Sequence, residues 1–238
     1  MIITDEIRNI WWYDLEGPLE TAKVKLFDEL LALAILRYCY PEKYNHFKKV
    51  EKPDLQHTDR KSGVEVTSAI NEVIASIEGN YAKYRTTIDP IEKARLKSKI
   101  EKVGGRFDSV GLSFPTEDSL QDKKVFETVI EKKVKKLAVY QKNGFEKMEL
   151  FILHSNIPCI YSKNTFIELF EKANGYETVY FSAPSCLMVY QYADKHLLIK
   201  KIPEKDYTDL KTIARLTVDG KIKPDDSIWK TPAFYKHG

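Results

Sequence analysis

The chain has few cysteines, and their positions exclude the commonest cysteine-based sites. Cys39, Cys159 and Cys186 are the three cysteines of the sequence, an odd number without a CxxC pair or an array with histidine. Disulfide frameworks pair their cysteines, and structural zinc sites use closely spaced cysteine or histidine ligands. We therefore expect three reduced cysteines in structural roles, and no zinc site.

Long hydrophobic runs are also missing. No apolar run approaches the roughly 20 residues of a membrane-spanning helix. The first residues, Met1 to Glu6, lack the basic start and the small-residue cleavage pattern of a secretory signal. Hydrophobic residues nevertheless make up 43% of the 238 residues, enough to fill a sizeable interior. We expect a cytoplasmic globular protein with no membrane partner, folded as a single domain over residues 1–238.

The sequence has neither a strong charge imbalance nor a nucleotide-binding motif. The net charge is only +3, so the overall balance does not indicate a nucleic-acid-binding protein. Basic residues cluster locally at 48–49, 93–102 and 132–136. Such clusters either contact phosphates or form solvated helix faces. A GxGxxG turn, a Walker loop and an internal repeat are all absent.

What the sequence does contain is a segment typical of a β-hairpin, from residue 52 to 67. Alternation puts the apolar side chains on one face, and a four-residue loop over 58–61 places Asp54 opposite Glu65 on the other face. Directly opposed side chains have Cβ atoms roughly 4.5–5.5 Å apart. Mg²⁺ typically accepts one or two carboxylates and keeps waters for a phosphate substrate. The pair therefore suits phosphodiester chemistry, and the alternative is an ordinary hairpin whose carboxylates face solvent.

The same residues resemble a known nuclease motif. Pro53-Asp54, ten residues and then Glu65 are similar to the PD-(D/E)xK nuclease superfamily, which has the restriction-endonuclease-like fold. The family pattern ends with a lysine two residues after the acid, where this chain has Thr67. The resemblance is thus to a degenerate subgroup whose acidic strand reads Glu-Val-Thr. It covers the hairpin closely and residues 19–153 loosely.

This resemblance implies a fold and a metal site. The fold is an α/β restriction-endonuclease-like αβββαβ core over 19–153, a mixed sheet flanked by helices, with a flexible insertion around 104–122 and a C-terminal helix and β-rich extension over 154–238. The site is Mg²⁺ or Mn²⁺ held by Asp54, Glu65 and the Val66 carbonyl. Glu29 on the first helix completes the ligands, with Glu20 as its competitor. For either glutamate the alternative is a solvent-facing helix position.

Two lysines are candidates for the charge missing at Thr67. Lys133 lies within about 40° of the centre of the apolar stripe of a helix predicted over 123–140. Its alternative role is to cover the core edge with its aliphatic stem while the ammonium reaches water. Lys52 pairs with Thr67 in the hairpin register and projects from the same face. Its alternative role is an edge-strand charge that discourages aggregation.

Apolar spacing and turn residues predict the remaining elements. Helices are expected over 19–38, 68–84, 90–103, 123–140 and 164–173, and strands over 148–153, 177–181, 187–192 and 197–202. Asp89 and Pro90 are typical of the start of the helix over 90–103. No element is assigned from Pro203 onward, where Tyr207, Trp229, Phe234 and Tyr235 lie among charged residues.

Two functions remain open. The first is a magnesium-dependent nuclease that hydrolyses phosphodiester bonds in DNA, with RNA as the other substrate and a homodimer as a further expectation. The second is a catalytically inactive nuclease-fold protein that binds nucleic acid or a protein partner. Catalysis needs an ammonium group beside Asp54 and Glu65, whereas binding needs only a basic groove. The position of Lys52 and Lys133 therefore separates the two functions.

Overall fold

The computed structural model describes residues 19, 21–70, 72–108, 111–113, 119–154, 162–184, 186–223 and 229. The helices in these ranges are α1 (Thr21–Cys39), α2 (Pro41–Tyr44), α3 (Glu72–Thr86), α4 (Pro90–Lys102), α5 (Ser119–Lys142), α6 (Lys163–Glu171) and α7 (Glu204–Val218). The strands are β1 (Phe47–Lys49), β2 (Leu55–His57), β3 (Ser62–Ser68), β4 (Arg106–Asp108), β5 (Gly111–Ser113), β6 (Lys147–Leu153), β7 (Thr178–Ala183), β8 (Cys186–Gln191) and β9 (His196–Lys201).

Most of these strands form one mixed sheet, in the order β1-β2-β3-β6-β7-β8-β9. The pairs β3/β6 and β6/β7 are parallel, and the outer pairs are antiparallel. β6 lies at the centre and is buried from Met148 to Leu153, as its continuous apolar run predicts. The expected α/β class, a mixed sheet flanked by helices, is confirmed.

The helices cover both faces of this sheet. Alternate residues of β6 point to opposite sides, because side chains along a strand have a period of two. Phe151 and Leu153 belong to the core shared with α1 and α7. Leu150 and Ile152 belong to the core shared with α5 and α6. The sheet therefore separates two hydrophobic layers, and any polar side chain buried on it belongs to one of them.

A separate group of elements, α3, α4, β4 and β5, is inserted between β3 and α5. The Asp89 side chain caps α4 by accepting a hydrogen bond from the Ile91 N–H at 3.0 Å, and Pro90 follows as the first helical residue, as predicted. The segment 104–122, expected as an insertion or flap, contains the β4/β5 pair and the start of α5. Residues 109–110 and 114–118 of that segment lie outside the described ranges.

The region after residue 154 is less β-rich than expected. Strands β7, β8 and β9 extend the central sheet, but α7 was not assigned from the sequence and packs with α1 over one face. Its buried residues recur at helical spacing: Tyr207, Leu210, Ile213 and Ala214. The Tyr38 hydroxyl on α1 donates to Asp206 Oδ2 on α7 at 2.8 Å.

Two further observations concern membrane-spanning helices and the cysteines. No helix in the described ranges is both long and apolar enough to cross a membrane. Cys39 and Cys186 are free thiols, and burial raises the pKa of Cys39 to about 12 despite the nearby Lys200 charge. Cys159 lies outside the described residues.

Candidate active site

The candidate site lies where β3 extends past the end of β2. The ladder between these strands reaches Leu55 opposite Val64, and extending this register by one step puts Asp54 opposite Glu65, as predicted. β3 continues along β6 on its other side. On the β2 side, Asp54 Oδ2 accepts the Val66 N–H at 2.8 Å, so a carboxylate takes the place of a strand carbonyl.

Asp54 is a buried carboxyl in an acidic neighbourhood. It is 3% exposed, and among the described residues the cation in contact with it is Lys25, whose Nζ lies 3.4 Å from Oδ1. Burial and then the charge of Glu65 raise its pKa to about 6, with a hydrogen bond to Glu29 adding to the effect and the Val66 N–H opposing it. The negative charge on Asp54 is thus poorly compensated, which is the condition under which a carboxylate gains most from a bound cation.

Glu29 joins the site from α1. Its side chain is buried and not solvent-facing, so the alternative position considered from the sequence is wrong. Lys25 Nζ lies 3.2 Å from Glu29 Oε1, and Lys49 Nζ lies 3.4 Å from Oε2. Lys25 therefore contacts both Glu29 and Asp54. Glu20, the competing candidate, lies outside the described residues.

Glu65 is bound by cations from α5. Lys133 Nζ lies 2.6 Å from Glu65 Oε1 and donates to the Val66 carbonyl oxygen at 2.9 Å. Lys136 Nζ lies 3.2 Å from the same Oε1, and the Tyr140 hydroxyl donates to Oε2. Burial acts to raise the pKa of Glu65, but Lys133, Tyr140 and Lys136 outweigh it and hold the pKa below its ordinary value.

The two candidate lysines are placed very differently. Lys133 does not extend its ammonium into water, since its side chain is only 14% exposed and ends on Glu65. Lys52 is exposed in the bend before β2. Among the described residues, the cations in contact with the Asp54 and Glu65 carboxylates are Lys25, Lys133 and Lys136. Of the two candidate lysines, Lys133 is therefore the one whose ammonium contacts the Glu65 carboxylate.

Sequence reasoning missed four other polar residues of the site: Lys25, Lys49, Lys136 and Tyr140. Lys136 and Tyr140 follow Lys133 by three and seven residues, a spacing that puts all three on one face of a helix. Lys25 precedes Glu29 by four residues and is its neighbour on α1 for the same reason. A helical projection around Glu29 and Lys133 would have found three of the four. Lys49 is positioned only by tertiary packing.

The donor set can be tested against a metal ion. Within the described ranges, no group of three or more His, Cys, Asp or Glu side chains has an arrangement that could hold one. The donors that converge are two carboxylates, Asp54 and Glu65, and the Val66 carbonyl, which also contacts Lys133. These are hard oxygen ligands, and Mg²⁺ commonly takes one or two carboxylates and completes its shell with water and phosphate. The chemistry of the donors fits Mg²⁺ or Mn²⁺.

A second buried carboxylate lies on the opposite face of the sheet. Glu149 on β6 is 3% exposed and accepts the Tyr44 hydroxyl at 2.6 Å, and Lys43 Nζ lies 2.5 Å from its Oε1. The Tyr44 and Tyr180 hydroxyls are also 2.6 Å apart. Glu149 shares the face of Phe151, towards α1, whereas Glu65 faces α5. This cluster is therefore separate from the candidate site.

Comparison of the chain with protein-family models, with curated proteins and with solved structures gives no match in any of the three searches. Functional inference consequently depends on the geometry of the site.

Proposed function

We propose that this protein is a metal-dependent nuclease of the restriction-endonuclease-like type that hydrolyses phosphodiester bonds in DNA. The observation that carries the proposal is the contact of the Lys133 ammonium with both Glu65 Oε1 and the Val66 carbonyl, at 2.6 and 2.9 Å. A lysine from α5 thus supplies the charge that Thr67 does not supply on β3.

The order of the elements supports the proposal. With the insertion and the four-residue helix α2 set aside, the chain from α1 to β6 reads helix, three strands, helix, strand. The first three strands are consecutive neighbours in the sheet, and β6 adds parallel to β3. This order supports the proposed αβββαβ core, in which α5 would be the second core helix.

Each residue has a role in the proposed reaction. Asp54, Glu65 and the Val66 carbonyl would hold Mg²⁺ or Mn²⁺, with Glu29 beside Asp54. A bound divalent ion lowers the pKa of a water molecule and stabilises negative charge on a phosphate oxygen. Lys133 places a fixed positive charge at the same carboxylate, where it stabilises the charge that develops during phosphodiester cleavage.

The basic side chains around the carboxylates suit a phosphate backbone. Lys25 and Lys136 have side chains that are 75% and 57% exposed, so their ammonium groups are accessible from solvent. They approach the site from different elements, α1 and α5. Contacts of this kind give affinity for nucleic acid without sequence preference.

One observation favours the second function, an inactive nuclease-fold protein that binds nucleic acid or a protein partner. Glu65 Oε1 and the Val66 carbonyl both already accept hydrogen bonds from Lys133, and Oε2 accepts one from Tyr140. Carboxylate oxygens have further lone pairs, yet a cation at this position competes with Lys133. In this second function the lysine has replaced the metal.

Cleavage by matched variants tests the proposal. Wild type, Asp54→Asn, Glu65→Gln and Lys133→Gln are incubated with supercoiled plasmid and with single-stranded DNA in Mg²⁺, Mn²⁺ or EDTA. Lys135→Gln is the control, because Lys135 is an exposed residue of the same helix with the same charge. We expect cleavage by wild type and Lys135→Gln in Mg²⁺ or Mn²⁺, and a loss of at least about 100-fold in the other variants.

Calorimetric titration of Mg²⁺ and Mn²⁺ separates the two functions. If wild type binds metal and cleaves DNA, and Asp54→Asn does neither, the nuclease is established. A wild type that binds neither metal and cuts neither substrate contradicts the nuclease and supports the inactive scaffold. Circular dichroism of each variant verifies that the loss is not unfolding.

A further inference from the structure

The insertion carries a cluster of aromatic rings and lysines that the proposed active site does not use. Tyr81 and Tyr84 on α3 are stacked, with ring centroids 6.2 Å apart and an interplanar angle of 13°. Phe107 on β4 packs against both, at centroid distances of 6.0 and 5.0 Å. Lys93 and Lys97 on α4 complete the cluster. These five residues are called the aromatic–lysine surface below.

The ammonium groups of the two lysines lie over the faces of two of the rings. Lys93 Nζ lies 5.1 Å from the Tyr84 ring centroid, and Lys97 Nζ lies 5.5 Å from that of Phe107. Both distances are in the range of cation–π attraction. An ammonium that rests on a ring face and retains access to water can move to a phosphate when a flat group takes its place on the ring.

The rings are not the interior of the insertion. That interior is aliphatic: Ile77, Leu96 and Ile100 are at most 2% exposed. All three rings are only half-buried. The insertion therefore has a separate core, and the aromatic side chains lie at its surface beside Lys93 and Lys97.

The positive charge around the surface is concentrated from Lys83 to Arg106. Glu72, Glu78 and Asp108 on α3 and β4 reduce the net charge of residues 72–113 to +2. Residues 83–106 contain eight basic side chains, Lys83, Arg85, Lys93, Arg95, Lys97, Lys99, Lys102 and Arg106, against three acidic ones, Asp89, Glu92 and Glu101. An acidic polymer fits this charge, and flat aromatic groups select one whose bases are unpaired.

The insertion is also joined directly to the proposed active site. It leaves the sheet at the end of β3, the strand that carries Glu65, and the chain returns through α5, the helix that carries Lys133. A nucleic-acid strand bound to the insertion is thereby connected to β3 and α5, the two elements that carry Glu65 and Lys133.

We propose that the aromatic–lysine surface binds single-stranded DNA, with bases stacked on the Tyr84 and Phe107 rings and phosphates on Lys93 and Lys97. This inference rests on the proposed function and adds to it a substrate class: DNA with an unpaired segment, such as a single strand, an overhang or a flap. Double-stranded DNA cannot present its base faces to the rings.

Fluorescence anisotropy of the full chain tests the inference without cleavage. The probe is end-labelled oligothymidylate in EDTA, compared with a duplex and with oligouridylate of equal length. Tyr84→Leu removes stacking while keeping an apolar side chain, and Tyr84→Phe is its control because it keeps the ring. Lys93→Gln/Lys97→Gln removes two charges, and Lys195→Gln/Lys211→Gln removes the same charge from exposed positions outside the insertion.

We expect oligothymidylate to bind wild type more tightly than the duplex does. Tyr84→Leu should weaken this binding by about 5-fold or more, the lower range of base–aromatic stacking, and Tyr84→Phe should not. The Lys93/Lys97 double variant should reduce the slope of log affinity against log salt by about 1.4, because each single-strand phosphate contributes about 0.7. The Lys195/Lys211 double variant should leave the slope unchanged.

Other outcomes overturn the inference. Tighter binding of the duplex or of oligouridylate, or oligothymidylate binding that is equal in all variants, removes the surface as a single-stranded DNA site. The binding and cleavage results can be separated. Oligothymidylate binding that depends on Tyr84, without cleavage in Mg²⁺, contradicts only the nuclease. Cleavage in Mg²⁺, with oligothymidylate binding that Tyr84→Leu does not weaken, contradicts only the proposed surface.

Discussion

Asp54 Oδ2 accepts the backbone N–H of Val66 at 2.8 Å, which makes a buried acidic side chain the hydrogen-bond partner of the strand that carries Glu65. The contact fixes Asp54 beside Glu65 and brings two carboxyl groups together away from solvent. Their proximity has an energetic consequence, because the pKa of Asp54 rises to about 6, first through burial and then through the Glu65 charge.

Asp54→Asn should therefore stabilise the protein at pH values above the pKa that the Asp54 carboxyl has in the folded state. The unfolded chain ionises at its ordinary pKa of 3.8, whereas the folded chain ionises near 6. Wild type thus loses stability as the pH rises through this interval, and the amide variant does not. Asparagine can still accept the Val66 N–H. We expect a gain of roughly 1–3 kcal/mol at about pH 8 and little gain at about pH 4.

Urea unfolding of both proteins across this pH range measures the difference. Asp59→Asn is the control, since Asp59 is exposed and its pKa is lowered by hydrogen bonds from Lys61 and His57. That variant should show no gain at high pH. A gain for Asp54→Asn that is equal at all pH values would contradict the assigned cause.

Lys133→Met should destabilise the fold at neutral pH by leaving the buried Glu65 charge with fewer partners. Lys136 and Tyr140 still contact Glu65, so we expect about 2–3 kcal/mol, less than the cost of a fully abandoned buried charge. In wild type the pKa of Glu65 is lowered, so this stabilisation is present above pH 4.5 and is lost as the pH falls through the folded-state pKa.

A double-mutant cycle with Glu65→Gln measures the pair directly. Thermal unfolding of the two single variants and the double variant should give a coupling energy of about 1–3 kcal/mol. Additive losses would show that Lys133 does not depend on Glu65 for its position.

Tyr140→Phe should raise the pKa of Glu65 and leave the protein folded. The Tyr140 hydroxyl donates to Glu65 Oε2 and is one of the groups that lower the pKa of Glu65. Its loss should raise the pKa of Glu65, which NMR titration of the labelled carboxyl measures, and cost about 1–3 kcal/mol of stability. Tyr176→Phe is the control, because its hydroxyl donates to the Lys133 carbonyl and not to a carboxylate. A Glu65 pKa that rises equally in both variants would remove Tyr140 as a positioning residue.

Glu149→Gln should lower stability and leave cleavage unchanged. The amide can still accept the Tyr44 hydroxyl but loses the ion pair with Lys43, whose side chain is 47% exposed. We expect a loss of about 0.5–2 kcal/mol by chemical denaturation. Unaltered plasmid cleavage would separate the two buried carboxylates, whereas a large loss of cleavage in a folded variant would show that they are coupled.

Local sequence signals were sufficient for most of the fold. The hairpin register, the Asp89 cap of α4 and the buried strand β6 all follow from alternation, capping and apolar runs, which depend on neighbours along the chain. α7 was missed although Tyr207, Leu210, Ile213 and Ala214 repeat at helical spacing, because the aromatic and charged residues around it obscured the pattern.

The candidate site was only partly predictable for a different reason. Asp54 and Glu65 are brought together by one hairpin, so their pairing could be counted from the sequence. The contact of Lys133 with Glu65 joins α5 to β3 across the insertion, and Lys49 meets Glu29 through packing of β1 on α1. Periodicity placed Lys133 near the apolar stripe of its helix, but the acid it contacts is set by tertiary structure.

β3 and β6 pair in parallel, although the whole insertion separates them in the sequence. A cut in the insertion would therefore leave every residue of this strand pair intact, on two fragments. Residues 87–89 join α3 to α4, and Ile88 there is 97% exposed. A break at this point leaves Asp54 and Glu65 on one fragment and Lys133 on the other. Neither fragment contains the complete set of charges, and complementation between them would restore the set through the seven paired positions from Ser62 with Lys147 to Ser68 with Leu153.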